Sequence, residues 1–313
     1  MKEKEEKKYN DFGLGEKPET DGYRAVNKDG SFNIVKTNIP FFERLNFFHN
    51  LVSMSWAHFF LYIIIGYFAI NIFFASIYVL IGVENLTGTS ATNLMEEFIE
   101  AFFFSAQTIT TLGYGRVAPI GISTNIVAAI ESMLGLLTFA LATGLLYVRF
   151  SKSTTRIKYS DIGVISPYRD INGFMIRVVN PHKNELLEVN ADLSVSFRKK
   201  GSKLREFYNL ELERDMVFFF PSVWTIVHPI DTNSPLYQMT EEDFLERDVE
   251  IIVMLKAFDE SSSQTLYSRS SYKAAEVLWG AKFTYLGEHQ DGKLNIDVSG
   301  INKYEKRDLN KYT

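Results

Sequence analysis

Thr110-Thr111-Leu112-Gly113-Tyr114-Gly115 is the stretch on which the reading of this chain turns. Aiming consecutive carbonyls at one axis needs backbone angles, including positive φ, that a residue with a Cβ resists, and Gly113 and Gly115 can adopt them. Four copies of such a loop can ring an axis with backbone oxygens that replace the water around a potassium ion. The predicted K+ sites are at Thr111, Leu112, Gly113 and Tyr114. The Thr111 hydroxyl adds the innermost ring, and Tyr114 is expected to brace the loop outward against neighbouring aromatics. Gly-Tyr-Gly alone occurs in ordinary turns, so the flanking sequence decides.

Phe59 to Val83 contains no charged residue. That exceeds the roughly 20 residues needed to cross hydrocarbon, and an outer helix is predicted over 57–83. Trp56, His58 and Tyr78 suit the interfacial belts. Glu84 to Ala91 reads as a loop. Asn93 then stands three residues before Glu96, the spacing of a capping box, and predicts a pore helix over 93–108 with Met95, Phe98 and Phe102 inward. About four turns cannot cross a bilayer, so this helix dips in and returns, its negative C-terminal end favouring a cation. The filter occupies 110–115.

Pro119 and Gly121 open the second long run, an inner helix over 121–149 with Glu131 as its only charged residue before Arg149. A charged group inside a span is either functional or a structural hydrogen-bond partner behind the filter, and both readings stand for Glu131. Glu131, Gly135, Phe139, Thr143 and Tyr147 follow at i+4 steps and read as one stripe. If it faces the axis, Gly135 or Gly144 lets the helix bend and Tyr147 closes the inner mouth. Before the first span, 39–54 reads as an interfacial helix with Phe41, Leu45, Phe48 and Val52 on one side. Trp56, Arg149, Lys152, Arg156 and Lys158 mark its lipid and interdomain surroundings. The basic residues after the second span, against Glu84, Glu96, Glu97 and Glu100 between the spans, put both termini in the cytoplasm of a cell (inner) membrane protein. They serve as a topology anchor or as a contact for anionic headgroups.

The 313 residues carry a net charge of −5 and no cysteine, which excludes disulfides and thiolate chemistry and gives no reason to expect nucleic acid. No signal peptide is expected at the start. Residues 1–38 read as a cytoplasmic tail in which Ser31 to Lys36 is either an edge strand or unstructured. From 151 to 313 the period changes to two. Leu187, Val189, Ala191, Leu193, Val195 and Phe197 alternate with polar residues, and Met175–Asn180, Val217–Ile230 and Val249–Phe258 are further β-rich runs. This half reads as an all-β sandwich without a phosphate loop or metal spacing. His182, His228 and His289 read as isolated, hydrogen-bonded residues.

Ser105 to Gly115 together with Trp224-Thr225-Ile226-Val227-His228-Pro229-Ile230-Asp231, Ser234-Pro235-Leu236-Tyr237, Asp259-Glu260, Gln264-Thr265, Arg269-Ser270-Ser271-Tyr272 and Leu278-Trp279-Gly280 resembles the inward-rectifier potassium channels, prokaryotic branch, over roughly Ser31 to Glu288. The resemblance implies a homotetramer: an α-helical membrane pore with outer and inner helices, a re-entrant pore helix and a slide helix, joined to an immunoglobulin-like cytoplasmic sandwich. It implies that Phe139 occupies the rectification position, Tyr147 the bundle-crossing gate, Arg269 a gating contact between domains, and Glu188 an acidic site of the cytoplasmic pore.

Departures from the family pattern shape the expectations. Phe139 stands where strong rectifiers place an acid, and Lys256 replaces another acid of the cytoplasmic ring. Rectification and block by polyamine or Mg2+ are therefore expected to be weak. Gln107 replaces the usual filter-supporting Glu, Arg116 follows Gly115, and Val117 replaces the usual Arg, so the outer ion-pair brace is in question around Gln107, Thr110, Arg116 and Glu131. Ser55-Trp56-Ala57-His58 lacks the arginines that eukaryotic members use for phosphoinositide, so activation by that lipid is not assumed, and inhibition or indifference stands open beside it. The cysteines that bracket the outer loop in eukaryotic relatives are missing too. The function implied is passive, K+-selective conduction, gated at the bundle crossing and by the cytoplasmic domain, with K+ as permeant species and no cofactor. A non-conducting sensor does not need the two glycines, an enzyme lacks a nucleophile–base pair, and a non-selective cation pore is the nearest rival.

Overall fold

The computed structural model describes residues 23–38, 40, 47–151, 157–182, 184–202, 204–220 and 222–311. Two compact units emerge, one of residues 38–152 and one that joins 1–37 to 153–313.

The first unit is helical. α1 (Phe47–Ser53) is the described part of the expected slide helix; Phe41 and Leu45 lie outside the described residues. α2 (Trp56–Ile81) begins at Ser55, whose hydroxyl caps His58, and stops at Gly82, where φ of +104° cannot continue a helix. It therefore ends two residues short of the expected boundary. β1 (Leu86–Thr87) follows, then α3 (Leu94–Ile109), β2 (Ala118–Pro119) and α4 (Gly121–Ser151). α2 and α4 are long and apolar enough to span a membrane. They meet α3 in a small core of Phe74, Ala75, Tyr78, Ala101 and Phe104.

Only half of the expected capping box forms. Asn93 accepts from the Glu96 amide at 3.0 Å, but the Glu96 carboxylate reaches past Asn93 to the amide and hydroxyl of Thr92, at 2.7 and 2.8 Å. The buried face of α3 is Ala101, Phe104, Ser105 and Ile109. Met95, expected inward, is 68% exposed, and so is its neighbour Leu94 at 70%.

The second unit is a sandwich of two five-stranded sheets. One runs β11 (Gln264–Lys273), β10 (Glu250–Asp259), β6 (Leu186–Arg198), β7 (Arg205–Leu210), with β8 (Met216–Phe220) also on β6. The other runs β12 (Val277–Trp279), β4 (Gly163–Tyr168), β5 (Ile171–Val179), β3 (Lys158–Tyr159), with β9 (Val223–Ile230) also on β5. Alternating side chains of β10 (Ile251, Val253, Leu255) and of β5 (Phe174, Ile176, Val178) meet in the core. β5 is buried on both faces, because β13 (Ala281–Phe283) covers Met175 and Val227 from outside, which hides any period of two in its sequence. The expected single run Val217–Ile230 is two strands in different sheets, broken near Pro221, a residue that cannot donate to a ladder. α5 (Glu241–Glu246) adds one short helix, capped by Thr240.

The N-terminal segment is neither a ladder strand nor free. Val26 and Phe32 form an isolated bridge around the Asn27-to-Gly30 turn. The Ala25 and Val26 amides donate to the buried Glu250 carboxylate at 3.0 and 3.3 Å. Arg24 makes a forked pair with Glu276, both contacts at 3.0 Å. Lys28 lies 3.7 Å over the Tyr272 ring, and burial brings its ammonium down to about 8.

Candidate functional site

α3 hands over to the loop at Thr110, whose amide and hydroxyl both bond the Ala106 carbonyl, at 3.4 and 2.6 Å. The Thr111 amide donates to Thr108 O at 3.0 Å, and the Leu112 and Gly113 amides donate to Gln107 O at 2.9 and 3.3 Å. Gly113 and Gly115 have φ of +52° and +80°, the left-handed backbone expected of them. Thr111 is left-handed as well, at +57°, which nothing in its own residue type signals; a β-branched residue there is strained. Left-handed residues at every second position send N–H groups to one side and carbonyls to the other. Here the last turn of α3 takes up the N–H groups.

Thr111 to Arg116 are all exposed in the single chain. Tyr114 is 75% exposed and stacks on no ring among the described residues. The expected aromatic brace is therefore not made within one chain among the described residues. Outside the loop, β1 pairs with β2 (Leu86↔Pro119, Thr87↔Ala118), closing the turn that the sequence presented only as a loop. Arg116 lies 3.9 Å from Glu100, but at 73% side-chain exposure this pair contributes little. Glu100 is held better by Ser90, whose amide donates to it at 3.0 Å.

Behind the loop, Glu131 is fully buried. Tyr78 of α2 donates to it at 2.7 Å, and Ser105 of α3 bonds its other oxygen. Ser105 also sits 3.0 Å from Asn71 Oδ1. Gly135, one turn further along α4, lies against the Ile109 carbonyl, where any Cβ would collide. It thus provides a close approach to α3, while Gly144 has open space around it.

The five-residue stripe does not stay on one face. Steps of four at 3.6 residues per turn drift by about 40° each. Glu131 and Gly135 consequently pack inside the chain, while Phe139 and Tyr147 are 74% and 73% exposed. Below the loop, a groove of about 740 Å³ between α2 and α4 is lined by Tyr62, Gly66, Tyr67, Thr111 and Phe139.

Arg149 departs from its expected place in a headgroup-facing cluster. It is 8% exposed, its guanidinium lies 4.6 Å over Trp56 and 4.5 Å over Phe59, and it donates to Leu51 O and, at 2.8 Å, to Met54 O. The carbonyls at the end of α1 have no helical partner, and a planar guanidinium meets two of them at once. Lys152 and Arg156 lie outside the described residues; Lys158 is exposed on β3, paired with Val179.

In the sandwich, Glu188 is exposed at φ +48°, at a bulge where the β6–β10 register slips between Lys256 and Phe258. The bulge breaks the expected alternation: Leu186 and Val189 are buried, and Leu187 is not. Lys256 is exposed, opposite Asn190. Arg269 stacks 4.4 Å over Phe32 of the N-terminal segment. His228 is a buried core histidine between Glu211 O at 2.6 Å and Ser234 Oγ at 2.7 Å.

Comparison with known proteins matches residues 157–313 to the inward rectifier potassium channel C-terminal domain and residues 62–152 to an ion channel family. The inward rectifier potassium channel Kirbac3.1 of Paramagnetospirillum magnetotacticum is 32% identical over 91% of this chain and 96% of its own length. The G protein-activated inward rectifier potassium channels 3 and 2 of Mus musculus are each 28% identical over 90% of the chain and 77% and 71% of theirs. The chain belongs to the inward rectifier potassium channel family. It is an ion channel of the membrane, not an enzyme.

Within this inward rectifier, sequence reasoning missed Asn71, Tyr78 and Ser105 as partners of Glu131. Asn71 carried a signal, since it is the one amide side chain in the charge-free span Phe59 to Val83. Ser105 carried none, and Tyr78, expected in an interfacial belt, is instead buried, its hydroxyl on Glu131.

Proposed function

We propose that four copies of the chain surround a central axis with the loop Thr111–Gly115 and conduct K+ passively through rings of its carbonyl oxygens. The observation that carries this reading is the left-handed backbone at 111, 113 and 115, with the amides of 112 and 113 drawn to Gln107. With the N–H groups occupied, the carbonyls are free to replace a hydration shell. The exposed Tyr114 and the open groove below the loop support assembly, since a lone chain leaves them uncovered.

Tyr147, exposed near the end of α4, narrows the inner mouth, Gly144 is the freer hinge, and Phe139 gives polyamine or Mg2+ no charge to bind, so rectification is weak. Glu188 and Lys256 line the cytoplasmic pathway, with both termini on the cytoplasmic side of a cell membrane. Arg269 and the segment beneath it link the N-terminal chain to gating. Anionic headgroups are met by Lys152, Arg156 and Lys158 rather than by Arg149, which is already engaged. Uptake of rubidium into liposomes, in competition with potassium, sodium and barium, tests the central claim. Equal competition by sodium and potassium would refute it.

A further inference from the structure

Asn71, Tyr78, Ser105 and Glu131 form one buried cluster, and its protons can be counted. Asn71 Nδ2 donates to Tyr67 O at 2.7 Å, which turns Oδ1, an acceptor only, toward Ser105. Ser105 touches both this oxygen, at 3.0 Å, and Glu131 Oε1, yet a serine hydroxyl has a single proton. Tyr78 gives its own proton to Glu131 Oε2 at 2.7 Å. With Glu131 ionised, the cluster is one proton short: either Asn71 and Ser105 or Ser105 and Glu131 face each other as acceptors. A proton on Glu131 Oε1 closes every contact, in the order Tyr78 to Glu131 to Ser105 to Asn71 to the Tyr67 carbonyl. No described cation forms an ion pair with Glu131, and an unpaired buried carboxylate is costly.

We propose that Glu131 is held neutral as a hydrogen-bond donor, and that this relay is the internal brace that positions the filter. It joins α2, α3 and α4 at a point two residues before Gln107, whose carbonyl holds the Leu112 and Gly113 amides. One turn further along both helices, Gly135 lies on the Ile109 carbonyl. Two fixed points a turn apart prevent α3 from rotating or sliding on α4, and the filter backbone follows α3. Gln107 and Val117 cannot form an ion pair, so the relay takes its place. Discrimination between ions then depends on it, which rests on the channel reading above; the protonation state does not.

The test uses the full-length tetramer in lipid. Infrared difference spectra of wild type and Glu131→Gln are expected to show a carboxylic-acid carbonyl band that the variant loses; a carboxylate band in its place overturns the neutral Glu131. For the brace, the K+/Na+ permeability ratio is measured in Ser105→Ala, Tyr78→Phe and Glu131→Leu. Tyr78→Phe, which removes one hydrogen bond of the relay, is expected to lower the ratio about tenfold, and Ser105→Ala and Glu131→Leu, which each remove two, to lower it further, all three eluting as the wild-type oligomer. Glu131→Gln, whose amide donates to Ser105 and whose carbonyl accepts from Tyr78, is expected to rescue most of the loss seen in Glu131→Leu. An unchanged ratio in all three variants, no rescue by Gln, or loss of assembly together with selectivity overturns the brace. A wild-type channel that does not distinguish K+ from Na+ overturns the channel reading instead and leaves the infrared result standing.

Discussion

The two units of this chain bury their apolar residues in opposite ways. In the sandwich, Ile165, Ile226 and Val253 have no exposure at all, whereas in the helical unit Leu80, Ile122 and Phe139 are 86%, 82% and 74% exposed. The sandwich closes its core with its own strands. The helical unit closes only the point where α2, α3 and α4 cross, and leaves the rest for lipid and for further copies of itself. A perturbation of the sandwich should thus register as stability, and a perturbation of the helical unit as assembly or flux.

The largest test of that division is Gly113→Ala. Rubidium uptake is expected to fall to background, while the melting of the sandwich, followed by circular dichroism, does not change. Gly201, at φ of +71° in an exposed loop of the sandwich unit, is the matched control: Gly201→Ala should leave flux intact and cost the sandwich roughly 1–2 kcal/mol. If both variants conduct alike, the filter assignment is wrong.

Arg149→Ala is next. It removes two charged hydrogen bonds to the end of α1 and the stacking on Trp56, a local loss of about 3–6 kcal/mol. Because that cluster ties the end of α1 to α2 and α4, the expected readouts are a changed open probability and lower resistance of the oligomer to detergent. Arg149→Lys should not restore either, since an ammonium cannot span two carbonyls and a ring face. Full rescue by lysine would reduce Arg149 to a topology charge.

Within the sandwich unit, Glu250→Ala is expected to release the N-terminal segment by leaving the Ala25 and Val26 amides without their carboxylate, at about 1–3 kcal/mol. Limited proteolysis near Tyr23 to Phe32 should accelerate while the core melts as before. An unchanged cleavage rate would mean that the segment is held by its other contacts, the Arg24–Glu276 fork and Lys28 on Tyr272 among them.

What the sequence disclosed follows the range of each interaction. The two long helices, the short helix α3 and the left-handed loop after it are written in short-range features: charge-free length, an Asn cap, two glycines. The strands with one wet face were legible for the same reason, as in Leu193, Val195 and Phe197. β5 was not, because β13, a hundred residues away, buries its second face. The bulge at Glu188 and the docked segment at Ala25 depend on partners far along the chain, and Arg149 looked like every other juxtamembrane basic residue until Leu51 and Met54 were placed beneath it.

The smallest effect concerns His228, which separates the two units by pH. Burial pushes its imidazole below the usual histidine range, while its contact with the Glu211 carbonyl works in the opposite direction. The neutral ring donates from Nδ1 to Glu211 O and accepts from Ser234 at Nε2, and a second ring proton would face the Ser234 oxygen. With a lowered folded-state value, the unfolded chain binds the extra proton first. The stabilisation is therefore complete above the ordinary histidine value and is lost as pH falls below it toward the folded value. Thermal melts of the sandwich should shift downward as pH falls through roughly 6.5. His228→Gln, which keeps a donor and an acceptor but does not titrate in this range, should lower the melt at neutral pH yet flatten this part of the dependence. An identical pH profile in the variant would place the acid sensitivity in another group, and the sandwich would then lose its one buried titrating histidine as an explanation.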